Sequence, residues 1–480
     1  MLATLALMLV VRDAFSQGVS LTDFGYQSMR VQGKLPLGSR QLLIIRTDVA
    51  GDDNTTHEMS YYDNMVFNFF AYPSVNGFML TNSNGRFSLS RAGVIDLIDY
   101  VDFTAEERNS LLANEVAKAG HSINAAARGG FDFAPFDTDG NNYITSDELL
   151  VLVVENHNTN DSGAARWAHP LGAGTQFLIE GTDTYFLGSI CLVSQNVSFA
   201  TLCHEISHVM GTVDLYGVWN QEALSQRLTI MSATITSPNN LETYQFDPWH
   251  KLRLGWCEPQ MRDVTYGGVV TLAGSGSSAP DKQVILYDGA RGTSEYFMLE
   301  YRAPVAGTYD NNASGTGLVI WHVEQDAAHN LVQRASPYIN GATHATMWIE
   351  SPPDLRRGGG QNGPPAGAGA WGSGAMTPRL VWNDGTFSDT TILVRPFVPG
   401  AESITVEILT ARDTWVDFSY VPPPSENGTF ASPYNTLSEG LGFAPWRGTI
   451  FFKPGHTTER GTINKALTLK APLGAVTLGQ

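Results

Sequence analysis

A chain of 480 residues is longer than one hydrophobic core of ordinary size, so two or three domains are expected. Apolar residues at 42% and ten tryptophans exclude a disordered chain. Only 16% of residues are charged and the formal balance is -18, which argues against a nucleic-acid partner and offers no basic patch for anionic lipid.

The opening run MLATLALMLVV is too short to span a bilayer but suits the apolar region of a signal peptide. Ala14 and Ser16 occupy small-residue positions ahead of a cut before Gln17. Residues 1–16 are therefore expected to be a signal peptide and the protein to be secreted or extracellular; a clipped start or a buried strand is the alternative. No other run is apolar enough for a transmembrane span. Residues 17–39 form an N-terminal segment. From RQLLIIRTDVAG to about residue 260, short β-branched runs mix with helix-like stretches such as TAEERNSLLANEVAKAG, so 40–260 reads as a mixed α/β domain.

Within it, DTDGNNYITSDE at 137–148 follows the spacing of a twelve-residue calcium loop. Asp137, Asp139 and Asn141 supply oxygens at positions one, three and five, Tyr143 supplies a carbonyl, and Glu148 closes the loop. Asn142 stands at the sharp turn usually held by glycine, a place that asparagine tolerates better than most residues. LLVLVVENH follows as a buried strand, so a calcium ion here would be structural.

HEISHVMGTVD at 204–214 carries the main chemical signal. Residues four apart share a helix face, so His204 and His208 can bind one metal. Glu205, on the neighbouring flank, is placed to take a proton from water at that metal. Gly211 can end the helix in the left-handed conformation and turn the chain so that Asp214 reaches a third position. Two imidazoles, a carboxylate and one open corner make a catalytic zinc site. Met231, in TIMSATI, stands where a methionine turn would floor it. Cys203 adjoins His204 but lies on another helix face, and the pairing of Cys191, Cys203 and Cys257 is open.

Past LGWCEP, the runs KQVILYDG, EYFMLEYRA, TGLVIWHVEQD, TILVRPF and SITVEIL read as strands of a β-rich accessory domain over 261–420. SPPDLRRGGGQNGPPAGAGAWGSG interrupts them as a surface loop. A proline-rich linker follows at 421–427. Residues 428–480 resemble the entry to a right-handed parallel β-helix of about two coils, fewer than the three or so that bury a continuous core. That segment is expected either to continue or to dock on something else, and it could contact a cell surface or polysaccharide. Sequons at Asn54, Asn160, Asn196, Asn312 and Asn427 matter only in a glycosylating host.

HEISHVMGTVDLYG, LTIMSA and DPWHKLRLGW together resemble the zinc-helix, methionine-turn and post-site segments of the immune-inhibitor-A-like secreted metallopeptidases, relatives of the metzincins. GFMLTNSNGRFSL, ARWAHP, EYFMLEYRA and GLVIWHVEQD extend the resemblance over residues 40–410. It implies an α+β chain: a metzincin-like catalytic domain with a mixed twisted sheet and zinc helix, then a β-sandwich-like domain, then the start of the β-helix. It also implies a zinc metalloendopeptidase acting on protein or peptide substrates, with zinc on His204, His208 and Asp214, Glu205 as general base, and an acidic loop like that at 137–148. Val213 stands where the family usually has proline and Gly217 where it often has aspartate, so Glu222 is kept as reserve third ligand. Tyr216 and Tyr244 are the oxyanion candidates; Trp167 and His169 fit the pattern without a role, and His322 reads as core. The alternatives are an inactive surface or carbohydrate-binding protein on a metallopeptidase scaffold and, less well supported by so few coils, a polysaccharide lyase.

Overall fold

The computed structural model describes residues 19–48, 57–68, 73–97, 115–156, 167–171, 174–215, 228–232, 243–264, 267–275, 277, 283–305, 308–311, 315–335, 343–345, 347–349, 370–377, 379–386, 388, 390–410, 413–421, 426–430, 432–444 and 448–479. The signal-peptide residues, Tyr216, Gly217, Glu222, three of the sequons (Asn54, Asn160, Asn312) and most of the glycine-rich interruption lie outside these. Among the described residues, no helix is long and apolar enough to cross a membrane.

The first part contains helices α1 (Met59–Phe67), α2 (Val75–Asn82), α3 (Glu115–Arg128), α4 (Phe199–His208) and α5 (Pro248–Leu254). Its strands are β1 (Gly38–Asp48), β2 (Phe87–Leu97), β3 (Tyr143–Ile144), β4 (Leu150–Asn156), β5 (Trp167–Pro170), β6 (Phe177–Leu178), β7 (Tyr185–Phe186) and β8 (Ser189–Ser194). Five of them form a sheet in the order β2-β1-β4-β8-β5, parallel except for the antiparallel edge strand β5. Strands in such a sheet are buried on both faces, which is why QLLIIR, LLVLVV and SICLVS are nearly unbroken apolar runs. Alternate side chains divide between two cores: Leu42, Ile44, Leu152 and Val193 face one with α4, while Leu43, Ile45, Val153 and Leu192 face the other with α3. The small sheet β3-β7-β6 carries the end of the acidic loop.

The second part contains β9 (Gln260–Asp263), β10 (Gly268–Ala273), β11 (Gln283–Tyr287), β12 (Glu295–Arg302), β13 (Gly317–Glu324), β14 (Gln333–Ala335), β15 (Thr343–Ala345), β16 (Met347–Ile349), β17 (Thr391–Val394) and β18 (Ser403–Leu409). Sheets β16-β13-β12-β11-β9 and β10-β18-β17 share a core that includes Leu272, Phe297, Ile320 and Val406. The opposite face of the larger sheet is buried as well. Met298, Val319 and Trp321 join the same core as α4 and α5, so the β-rich part and the helix bearing the histidines are packed as one body.

In the C-terminal part, β19 (Asp413–Val416), β20 (Thr449–Phe452) and β22 (Thr468–Lys470) stack in parallel, as do β21 (Gly455–Thr457) and β23 (Val476–Leu478). Helix α6 (Leu437–Phe443) covers their apolar side, with Leu437 beside Val416, Ile450 and Phe452. Residues 413–416, grouped by sequence with the β-rich domain, thus pair into the C-terminal stack. Trp415 explains the exchange: it stacks on Phe451 at 4.9 Å and packs with Leu393 and Leu409, tying the stack to sheet β10-β18-β17.

Candidate metal centre

Helix α4 starts where Ser198 accepts a hydrogen bond from the Thr201 N–H at 3.1 Å, a side-chain N-cap. Phe199, Ala200, Leu202, Cys203 and Ile206 enter the core. His204, Glu205 and His208 are left with side chains 6%, 15% and 16% exposed. Gly211 then adopts φ 91°, in the left-handed region that disfavours a Cβ, and the chain reverses. The returning chain is pinned by Leu215 N–H donating to the Met231 carbonyl at 2.9 Å.

Three atoms converge as a result. His204 Nε2 and His208 Nε2 are 3.2 Å apart, and Asp214 Oδ1 lies 3.1 Å from the first and 3.3 Å from the second. Ligands held tetrahedrally at zinc distances stand about 3.3 Å from one another, so the triangle has the size of a zinc face. The tautomers point the same way. His204 Nδ1 donates to the Ile230 carbonyl at 2.7 Å and His208 Nδ1 to the Thr212 carbonyl at 2.8 Å. In the neutral rings each Nε2 is therefore an acceptor. Asp214 Oδ1 is buried and takes no hydrogen bond. Three acceptors facing one point repel unless a cation lies between them, and the residues present fit a zinc ion.

Burial pushes the Glu205 carboxyl up, Asp214 adds to the shift, and the two histidines oppose it. Its Oε1 is 3.9 Å from His204 Nε2, close to the triad but outside it. For His208, burial works against the charged ring, but the Asp214 carboxylate and the Thr212 carbonyl outweigh it and raise its pKa. Asp214 is held well below the usual carboxylate range; burial opposes this, and the two histidine rings beside it prevail. A proton on His208 competes with a metal, so zinc affinity is expected to fall about tenfold per pH unit once the pH drops below that raised value. Competition titrations with a chromophoric chelator from pH 8 to 5 check this prediction; affinity independent of pH would contradict it.

Met231 is fully buried beneath the site and receives the Thr212 hydroxyl on sulfur at 3.6 Å. Its turn does more than fill space, because the preceding carbonyl, Ile230, orients His204. Cys203 lies in the core outside the triad with its thiol pushed up by burial, and all three cysteines are free. Tyr244 is 4% exposed. His322 on β13 donates from Nε2 to the Glu295 carboxylate at 2.8 Å, within the packed β-rich part. Trp167 and His169 belong to edge strand β5.

In the acidic loop, carboxylate oxygens of Asp137, Asp139 and Glu148 gather within 4.8 Å of one another. Asp137 accepts from the N–H groups of Asn141 and Asn142, and Asn141 Oδ1 accepts from Tyr143 N–H at 2.7 Å, so the loop is wrapped around its own acids. Asn142 takes φ 63°, the left-handed turn expected there. Each Glu148 oxygen accepts two bonds, from Thr138 and from Thr145. The donor set is hard oxygen, suited to calcium.

Two connections escaped the sequence reading. Asp247 and His250, both fully buried, link the methionine turn to the loop before Asp214. Ser189 Oγ, 2.7 Å from Ser146 Oγ, donates to the Val209 carbonyl at 3.0 Å, joining the end of the acidic loop to the end of α4. An aspartate directly before proline and three residues before histidine was the available signal for the first, since Asp-Pro is an N-cap followed by a favoured first helical residue.

No protein-family model matches the chain, and no curated protein does. Among solved structures it is similar to a chain described as "Structure of a chaperone-substrate complex", at 17% identity over 46% of this chain and 32% of that one, with a TM-score of 0.22. This chain thus spans about a third of that length, and so slight a likeness carries no argument.

Proposed function

We propose that this protein is a secreted zinc-dependent endopeptidase. The reading rests above all on the triangle of His204 Nε2, His208 Nε2 and Asp214 Oδ1, three potential metal ligands 3.1 to 3.3 Å apart with Glu205 beside them. Zinc, when bound there, supplies a Lewis acid for a carbonyl and brings the pKa of a water toward ~7. The chain supplies the proton handling. Glu205, its carboxyl raised by burial, accepts a proton from the attacking water and returns it to the leaving amine. Val213, 43% exposed beside the third ligand, offers an apolar contact at the rim. The resemblance of the zinc segment to immune-inhibitor-A-like enzymes supports peptide substrates.

Casein hydrolysis with and without a zinc chelator tests this reading. Cleavage lost on chelation and restored by zinc is the expected result; a protein that takes up no metal and cleaves nothing would favour the inactive binding protein.

We propose further that the acidic loop holds calcium in a structural role. Its serine link to Val209 would let the ion stiffen the end of α4. Saturation to about a hundred times Kd should stabilise the fold by about 2.7 kcal/mol and raise Tm by several degrees. Asp137→Asn should remove that rise. Equal melting with calcium and with chelator would count against the site.

A further inference from the structure

The Asp247 carboxylate holds two separate chains of contact. Its Oδ1 caps α5 by accepting the His250 N–H at 2.9 Å. Its Oδ2 accepts from His250 Nδ1 at 2.7 Å and from the Thr229 hydroxyl at 2.8 Å. Through His250 the contact runs to the third ligand: Val213 N–H donates to His250 Nε2 at 3.2 Å, one residue before Asp214. Through Thr229 it runs to the first: Thr229 Oγ1 accepts from Met231 N–H at 3.2 Å, and Ile230 between them orients His204. Asp247, Thr229 and His250 are all fully buried, so water cannot replace a lost bond.

We infer that Asp247 is a positioning residue for the metal centre, which sets Asp214 by fixing His250 in the tautomer that accepts from the Val213 backbone, and His204 by holding the Thr229 hydroxyl. The inference rests on the metal-centre reading above. Its physical basis is the tautomer. A carboxylate opposite Nδ1 keeps the proton there and leaves Nε2 as an acceptor. An amide in its place keeps only one of the two acceptors: with N–H toward Nδ1 it drives the ring proton to Nε2 and sets two donors against each other at Val213, and with N–H toward the His250 backbone it breaks the cap that holds His250. In the first case the loop carrying Asp214 must move and the Thr229 hydroxyl loses its acceptor; in the second the start of α5, and His250 with it, loses its anchor.

Cobalt is the probe, because its visible spectrum reports the coordination of the bound ion. Asp247→Asn is expected to weaken cobalt and zinc binding about 10- to 100-fold and to shift the cobalt bands. His250→Gln and His250→Asn separate positioning from packing. Glutamine is long enough to accept from Val213, whereas asparagine reaches only Asp247. The glutamine variant should keep tighter binding and a spectrum nearer that of the unaltered protein. If Asp247→Asn does not fold, this pair decides: equal affinities and spectra for the two overturn the inference. So does an Asp247→Asn protein that binds cobalt with unaltered affinity and bands. Failure of the metal-centre reading looks different, since the unaltered protein itself would then take up no cobalt; that result overturns both.

Discussion

Glu205→Gln is expected to leave zinc binding intact and to lower peptide hydrolysis by about 10³-fold or more, within or beyond the range for removing a general base. Glutamine is nearly the same size, and Glu205 Oε1 stands 3.9 Å from His204 Nε2, outside the three-atom face. The amide cannot accept a proton, so the attacking water loses its base. Burial already raises the carboxyl, which costs the charged form, and a neutral amide therefore should not destabilise the fold. Rates on a peptide substrate and zinc content measured on the same preparation check both halves. Full activity in the variant would mean that another group does this work.

Asp214→Ala is expected to have the largest effect on the metal. Outer partners of metal ligands cost about 10- to 100-fold in affinity when lost, and a ligand should cost more than that. Two imidazoles alone leave the ion short of the charge that Asp214 contributes. Glu222→Gln, by contrast, should leave affinity unchanged. Isothermal titration of zinc into both variants makes the comparison. The reverse outcome, with binding lost in Glu222→Gln and kept in Asp214→Ala, would transfer the third-ligand role to the reserve candidate.

Local rules made much of this site legible in the sequence. Helical spacing brings His204 and His208 together, and the left-handed turn at Gly211 follows from the glycine's own freedom. Asn142 obeyed the same steric rule. LLVLVVENH was readable as a strand of the first sheet because two-sided burial demands a continuous apolar run. What escaped was non-local. Asp247 reaches back to Thr229, and His250 to Val213, across chain separations that no spacing rule covers. The shared core had the same cause: Met298 and Trp321 look like any buried strand residues, and periodicity does not say which neighbour fills each face. β19 was misgrouped for a related reason, since prolines after it suggest a boundary while its pairing partner lies beyond them.

Zinc K-edge X-ray absorption on the purified protein, with metal content measured alongside, addresses the central proposal most directly. One zinc per chain is predicted, with a shell of nitrogen and oxygen at about 2.0–2.1 Å and the outer scattering of two imidazoles. Protein that stays free of zinc after exposure to it, or that binds zinc without imidazole scattering, would contradict the account.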